Sequence, residues 1–547
     1  MASLELKRRE LIASFLGLAV ADLACKKREP VPVPGDFVDQ GTIQTGHLLR
    51  KGPLPVAKEV ERTLEVLVVG GGAAGLSAAW RLAGAGLTDF LVCELDSVEG
   101  GTARSGRNSV SAFPWGAHYL PAPLTNQGPI PRLLKQMGVL TGLDEHGGPE
   151  FAEEALIHEP EERLFYRGSW YEGLYLRAGA SAEDLGQLKR FETQMRSFAA
   201  ARDARGRKAF AVPVASGSDD SEWTALDKLS MSQWLELQRY DSPRLQWMVE
   251  YACRDDYGAS AADTSAWAGI WYFSSRQTGE EKNDGYLSWP EGNGKLIAEL
   301  AGSIGADRLR RRLLIHTLER AGDGWAAHGL DVASQRPVQL RARQVVLACP
   351  RHVAAKVIAA WRTAPPPFVA EFQSSPWAVA NLTLTQAPVS RGFPLSWDNV
   401  FYESKSLGYV VATHQSPRAD AHGPTVLTWY YPLIGSDPVA ERTRLLATTY
   451  PEWEQLVMAD LLPAHRDLRS VATRLEVMRW GHAMIRPRPG FLWGGARQQA
   501  QASLESSLHF AHTDLGGMAL FEEANHFGIV AAERALAGLG RTTDSWL

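Results

Sequence analysis

Three glycines, Gly70, Gly72 and Gly75, stand in the stretch Val66-Leu67-Val68-Val69-Gly70-Gly71-Gly72-Ala73-Ala74-Gly75-Leu76, a spacing that suits a turn wrapped around a phosphate. The first glycine of such a turn makes the tight bend, the second lets the main chain approach a pyrophosphate with no Cβ in the way, and the third lets helix and strand pack closely. Free N–H groups at the helix start, at the positive end of its dipole, then face the anion. After that helix, Phe90-Leu91-Val92-Cys93 ends in Glu94, a carboxylate placed to accept hydrogen bonds from both hydroxyls of an unphosphorylated ribose. The two motifs predict a dinucleotide. NAD and FAD share that ribose and both stay open at this point.

Further candidate chemistry lies in three clusters: Arg254-Asp255-Asp256-Tyr257, the run Trp267 to Arg276 with Trp271 and Tyr272, and Arg479-Trp480-Gly481-His482-Ala483-Met484. Aromatic faces attract an ammonium group and carboxylates pair with it, so Tyr272 and Trp480, with Asp255 or Asp256, are candidates to line a site for an amine. His482 is the candidate for proton handling, because imidazole titrates nearest neutrality. Each cluster also has a plain packing reading. A chain with 18 Trp residues places many of them in its core, and Asp255-Asp256 equally suits a solvated loop. The four cysteines, Cys25, Cys93, Cys253 and Cys349, are widely spaced without a C-x-x-C pair, which predicts neither a metal centre nor covalent haem.

The elements that must carry these residues follow from periodicity. Leu64 to Val69 is almost wholly apolar, as a parallel strand covered on both faces is, and Ala73 to Ala85 repeats small apolar residues as a helix packed on it does. Leu133, Leu134, Met137 and Leu140 recur at helical spacing, and a longer helix is predicted around Leu185 to Ala199. Ala378 to Leu384 and Val426 to Tyr431 are rich in strand-favouring residues.

The segment Val98-Glu99-Gly100-Gly101-Thr102-Ala103-Arg104-Ser105-Gly106 follows Glu94 closely. With it, the segment resembles the acid and glycine-pair signature of the flavin amine oxidase and phytoene desaturase superfamily. The resemblance implies FAD, with Gly100 and Gly101 running along its pyrophosphate and ribityl chain. Thr102 stands where Arg is commonest in that superfamily, and Arg104 is the residue that would supply the charge. Further along, Phe113-Pro114-Trp115-Gly116-Ala117-His118-Tyr119-Leu120 resembles the stretch that returns to the flavin ring. It implies Gly116, Ala117 and His118 at the isoalloxazine, although His118 also suits a core histidine. Tyr286 to Leu300 resembles a turn before a helix that re-enters the cofactor domain. Ile315 falls on the strand that meets adenine in relatives, and Gln344 to Pro350 on a later strand of the same domain. His509-Phe510-Ala511-His512-Thr513-Asp514, with Phe521 and the helix from Gly528 to Ala537, resembles the closing segment, where Asp514 implies a ribityl contact.

The fold so implied is α/β: a Rossmann-like FAD-binding domain with an interleaved α+β substrate domain. The divisions expected are an export-signal-like segment at 1–26, a linker at 27–62, FAD-binding parts at 63–127, 285–371 and 479–547, and substrate parts at 128–284 and 372–478. The pattern is most similar to FAD-dependent spermidine dehydrogenases. It implies an oxidoreductase that oxidises the C–N bond of an amine or polyamine by hydride transfer to flavin N5. Many flavin amine oxidases keep a Lys near N5 on a substrate-domain strand; Trp377 to Leu384 shows Asn381 and no Lys. That departure favours a dehydrogenase that passes electrons to a cytochrome or quinone. The alternatives are a desaturase or isomerase of an apolar polyene or lipid, and a flavin-binding partner protein without turnover.

At 547 residues the chain exceeds one simple core. Its 45% apolar and 22% charged content is that of a globular protein, and a formal charge of -5 without a basic stripe argues against nucleic acid. Lys7-Arg8-Arg9 before Ala13 to Ala21 resembles a twin-arginine export signal, which implies a periplasmic or exported enzyme. Cys25 is a candidate lipid anchor, and a cytoplasmic protein with a basic N-terminal helix is the alternative. The apolar run is too short for a permanent membrane span. The Pro- and Gly-rich stretch 27–62 reads as a linker.

Overall fold

A computed structural model describes residues 31–277, 285–416 and 422–547. The export-like segment and Cys25 lie outside the described residues. The first of two large sheets has seven strands. Leu309–Arg310, Phe90–Cys93, Arg62–Val69, Pro337–Leu347 and Leu508–Phe510 run parallel in that order, and the hairpin Leu313–Ala321/Gly324–Asp331 extends Pro337–Leu347 antiparallel. The apolar run at Arg62–Val69 is continuous because both of its faces are covered. Val66 and Val68 pack with the helices Ala73–Gly84 and Phe521–Gly538, while Leu67 and Val69 pack with Ile358 and Trp361 on the other side. The two helices cross closely: a Cβ on Gly528 would lie 2.3 Å from the Ala74 carbonyl oxygen.

The second sheet has eight strands, in the spatial order Gly35–Phe37, Ala472–Ile485, Ser374–Leu384, Thr425–Pro432, Gly408–Val411, Asp398–Phe401, Glu162–Tyr166 and Ser169–Glu172. Strand alternation divides its faces. Ala378, Ala380 and Trp429 pack under the helices Pro438–Ala447 and Tyr450–Leu461, whereas Trp377, Val379 and Tyr430 face inward with Phe113 and Trp115. The chain passes between the two units beside the small sheet formed by Tyr119–Pro121 and Tyr286–Ser288. Helices Ala182–Ala200, Pro243–Tyr257 and Ala266–Ser274 add a third core on the substrate side. Among the described residues no helix is long and apolar enough to cross a membrane.

Three expected divisions differ from the structure. Helix Pro129–Gln136 buries Leu133 and Leu134 in the core of the first sheet, so residues just past 128 belong with the cofactor unit. Strand Ala472–Ile485 runs unbroken through the expected boundary at 478, carrying Trp480 and His482 on the substrate sheet. The stretch expected as a linker is partly a docked edge: Gly35–Phe37 pairs parallel with Leu475–Val477, and Gln40–Gly46 is helical. Composition misled here because Pro and Gly also suit an edge strand.

Asp39 fixes this edge. Its carboxylate is 2% exposed and accepts from the Arg479 backbone N–H at 2.6 Å, from Nε at 3.1 Å and from Nη2 at 2.9 Å. The guanidinium also lies 3.7 Å from the Phe37 ring centroid. Removing one partner of a buried pair leaves the other charge unsatisfied, so Asp39→Ala is expected to cost about 3–5 kcal/mol. Urea denaturation measures it, and a loss below about 1 kcal/mol would show that the N-terminal edge does not dock.

Candidate active site

The glycine turn folds as its spacing predicts. Gly70 has φ +108°, and a Cβ there would lie 2.4 Å from the Ala348 carbonyl oxygen. A Cβ on Gly75 would lie 1.9 Å from Gly70 O. These two positions need glycine for the protein's own packing. Gly72 differs. Its backbone is extended, which any residue adopts, and a Cβ there would meet nothing within 4 Å. The bare Cα therefore serves something other than the fold. Gly100 N–H donates 2.8 Å to Gly71 O, which brings the second glycine pair alongside, with Gly101 at φ +55° beside Gly72. The result is one trough at the N-terminus of helix Ala73–Gly84, the form an anion site takes.

Glu94 closes one end of the trough. Gly71 N–H donates 2.8 Å to its Oε2 and Asp96 N–H 2.8 Å to its Oε1. Burial raises its pKa while those bonds oppose the rise. Leu313 N–H bonds the Glu94 carbonyl at 2.9 Å, which places the strand carrying the buried Ile315 next to this turn. Asp514 is 6% exposed; its Oδ2 accepts from Arg351 N–H at 2.8 Å, and His512 Nδ1 lies 3.1 Å from its Oδ1. Burial acts to protonate Asp514, but His512 and Arg351 hold its pKa well below the usual carboxylate range. Arg104 lies beside Glu94, whose pKa its charge acts to lower. It pairs with Asp96, contacts Met478 Sδ and lies 5.2 Å from the Trp480 ring centroid.

Beyond the trough a cavity opens between the two units. Gly116, Ala117, His118, Tyr272, Asp256, Trp480 and Phe521 all line it. Its walls are aromatic, with Tyr251, Tyr286, Trp377, Trp397 and Tyr430 among the rest. The His118 ring packs 4.9 Å from Tyr430 and 5.3 Å from Trp397, and burial lowers its pKa to about 4, leaving a neutral imidazole. The Trp480 indole N–H donates 2.6 Å to Trp115 O, and the Tyr430 hydroxyl donates 2.9 Å to Gly116 O. These bonds fix the Trp115-Gly116 backbone against the substrate sheet. Asn381, in the stretch where relatives place a Lys, is a strut as well: its Nδ2 donates 3.0 Å to Pro114 O, and it accepts from Thr428 Oγ1 at 2.7 Å. No Lys lines the cavity among the described residues.

Five carboxylates reach the cavity: Glu162, Asp255, Asp256, Asp398 and Glu522. Asp256 is paired with Arg276 at 2.9 Å, and the Tyr272 hydroxyl bonds Asp255. Burial pushes the Glu162 carboxyl up to about 8, with Glu161, Asp255 and Glu159 adding to the rise. Burial likewise raises Asp398 well above its ordinary value, and it raises Asp255 and Glu522. Glu162 and Asp398 were not singled out from sequence. Each begins a strand, and only the pairing of distant strands reveals them.

His482 is set apart from the cavity and does not fill its expected role. It stacks on His352 with ring centroids 3.8 Å apart and shares a 2.8 Å hydrogen bond with Ser374 Oγ. Burial, then His352, Arg442 and Arg50, push its pKa down to about 2, so it holds no proton near neutrality. The cause is a bulge. Trp377 pairs with Trp480 and Ser375 with Met484, so residues 481–483 stand opposite Pro376 alone. Bulges re-aim side chains. Trp480, Ala483 and Met484 stay on the cavity face while His482 turns outward.

Residues 73–485 match the sequence profile of flavin containing amine oxidoreductases. The chain belongs to this family. It is an FAD-dependent oxidoreductase. Its fold is similar to that of a putrescine oxidase redesigned for cofactor binding (15% identity, covering 88% of this chain and 99% of that one, TM-score 0.64). It is also similar to cyclohexylamine oxidase from Brevibacterium oxydans (17%, 86% and 99%, 0.59) and to a fatty acid isomerase from P. acnes (14%, 87% and 98%, 0.58). At these identities the likeness is one of fold. No curated protein matches the sequence. The trough, Glu94 and Asp514 are the groups that would hold FAD: bare backbone for its pyrophosphate and carboxylates for its hydroxyls.

The two glycine roles separate experimentally. A Cβ added at Gly72 meets no protein atom within 4 Å, so in Gly72→Val the stability of the flavin-free protein is expected to stay within about 0.5 kcal/mol while bound flavin falls sharply. Gly75→Ala drives a Cβ into Gly70 O and is expected to cost about 1–3 kcal/mol whether or not flavin is present. Flavin absorbance and unfolding of the stripped proteins test both, and a Gly72→Val protein with full flavin content would remove the trough from the binding site.

Proposed function

We propose that the enzyme oxidises the C–N bond of an amine and passes the electrons to a carrier rather than to oxygen. The observation that carries this reading is the cavity wall: aromatic rings and five carboxylates, of which only Asp256 makes an ion pair with the buried Arg276 among the described residues. Aromatic faces hold a cation, and carboxylates in a low-dielectric site attract one strongly. An apolar polyene would leave those carboxylates desolvated with nothing to bond, which is costly. The fatty-acid isomerase reading is weaker for that reason.

FAD, when bound, supplies the hydride acceptor. The chain does the rest. Trp480, Trp377 and Tyr430 hold the amine carbon chain over the Gly116-Ala117 backbone and keep water out. An ammonium must shed a proton before its α-carbon releases hydride. A carboxylate whose pKa burial has raised is suited to accept that proton, and Asp255, hydrogen-bonded by Tyr272, is the candidate.

Two observations support a dehydrogenase. The cavity lining lacks Lys among the described residues, and the export-like N-terminus goes with periplasmic cytochrome or quinone acceptors. Anaerobic addition of amines is expected to bleach the flavin, and turnover with an artificial acceptor is expected to exceed that with oxygen roughly tenfold or more. Bleaching by polyene lipids and by no amine would refute the proposal.

A further inference from the structure

The family match begins at residue 73, so the segment from Val33 to Glu61 lies ahead of it. Its contacts nevertheless trace a path across the carboxyl ends of the seven-stranded sheet. Asp39 is clamped to Arg479 on the substrate sheet. Three residues on, Thr42 Oγ1 donates 2.5 Å to Asp96 Oδ2, beside Arg104 on the same oxygen and just past the end of strand Phe90–Cys93. Leu49 packs on the cluster that contains Val69, Cys93 and Leu347, the last residues of three adjacent strands. Arg50 stands among the charges that act on His352 and His482, and His352 opens the helix that follows Pro337–Leu347.

Strand Arg62–Val69 lies between Phe90–Cys93 and Pro337–Leu347. A chain that touches the ends of both outer strands passes over the end of the middle one, which is the glycine turn. The lengths agree: two strand steps are about 10 Å, and eight helical residues from Thr42 to Arg50 rise about 12 Å. The carboxyl ends of such a sheet are where dinucleotides bind.

The crossing piece, helix Gln40–Gly46 followed by the 3₁₀ turn His47–Arg50, has little of its own to hold it. It includes Gly41, its N-cap makes no side-chain hydrogen bond, and none of its side chains is buried. Short helices take their stability from burying a face against something. Thr42, Ile43 and Thr45 are half-buried, and below them a Cβ on Gly72 would meet nothing within 4 Å. The helix is thus tied at both ends above a trough that the protein leaves open.

We propose that residues 38–50 are a strap over bound FAD, a wall of the cofactor site supplied by sequence ahead of the family match. Thr42 is a positioning residue in it. It holds Asp96, whose N–H donates 2.8 Å to Oε1 of Glu94, the carboxylate read as the ribose ligand. Asp39 anchors the strap to the substrate sheet and Thr42 anchors it to the cofactor sheet, so it joins the two units above the cofactor. FAD then leaves only when the strap lifts, and whatever loosens the strap weakens FAD binding by the same factor.

The test uses the full chain and no substrate, so its outcome is separate from that of the amine reading. Amide hydrogen exchange of a peptide covering residues 38–50 is compared in flavin-loaded and flavin-stripped protein. Exchange there is expected to slow at least about tenfold with FAD, a larger change than in helix Ala182–Ala200 of the substrate-side core. Release of FAD, read as the rise of free-flavin fluorescence, is expected to quicken about tenfold in Thr42→Val, which loses one hydrogen bond to a carboxylate. Thr42→Ser keeps the hydroxyl and is expected to release FAD at the wild-type rate, whereas Asp39→Ala is expected to release it faster still. Should Asp39→Ala fail to fold, the Thr42 pair and the wild-type exchange decide. Equal exchange with and without FAD, or unchanged release in Thr42→Val, overturns the strap.

Discussion

The contact between Gly75 and the Gly70 carbonyl is the constraint on which the cofactor side of the molecule depends. With no Cβ between them, helix Ala73–Gly84 starts hard against the end of the central strand and presents its unpaired N–H groups at the trough. The same economy of side chains recurs where that helix meets Phe521–Gly538, at Gly528 over Ala74, and where Asn525 bonds Ser77 at 2.9 Å. Because the last helix is seated this way, Phe521 and Glu522 at its first turn reach the cavity. One close backbone approach therefore sets the anion site directly and the far wall of the substrate pocket at one remove.

The substrate sheet is held to that frame by hydrogen bonds to backbone rather than by apolar packing alone. Trp480, Tyr430 and Asn381 each bond a carbonyl in the segment Pro114 to Gly116. The three side chains come from adjacent strands, so they report the sheet's position to the segment expected at the isoalloxazine. Bonds of this kind specify one arrangement where hydrophobic contact tolerates several. The Asp39–Arg479 pair acts on the same strand from its other edge, next to Trp480 and the bulge. The N-terminal edge is thus coupled to the aromatic residue that a substrate would meet.

Legibility in the sequence followed the range of the interaction. Gly70 to Gly75, Glu94 and Gly100-Gly101 lie within one βαβ unit, where spacing along the chain fixes spacing in space, and the structure joins them as expected. Trp480, Tyr272 and Asp256 reached the cavity as well, because dense aromatic and acidic clusters are unusual enough to notice. His482 failed for a local reason that composition does not encode: a bulge with three residues opposite one turned its side chain away from the cavity. Glu162 and Asp398 were invisible because their meaning is a register between strands 236 positions apart (398 minus 162), and neither stands in a motif.

The cavity is costly to fold, and the cost is informative. Two of its acids stand side by side on a sheet, and two others occupy the C-terminal turn of a helix, places that selection for stability alone avoids. Arg276 relieves one of them, Asp256. The others are tolerated by protonation, which burial and mutual repulsion favour. Local rules broken without a compensating partner mark functional positions. The unpaired carboxylates make physical sense when a positive charge arrives with the substrate and takes the place of the protons they release.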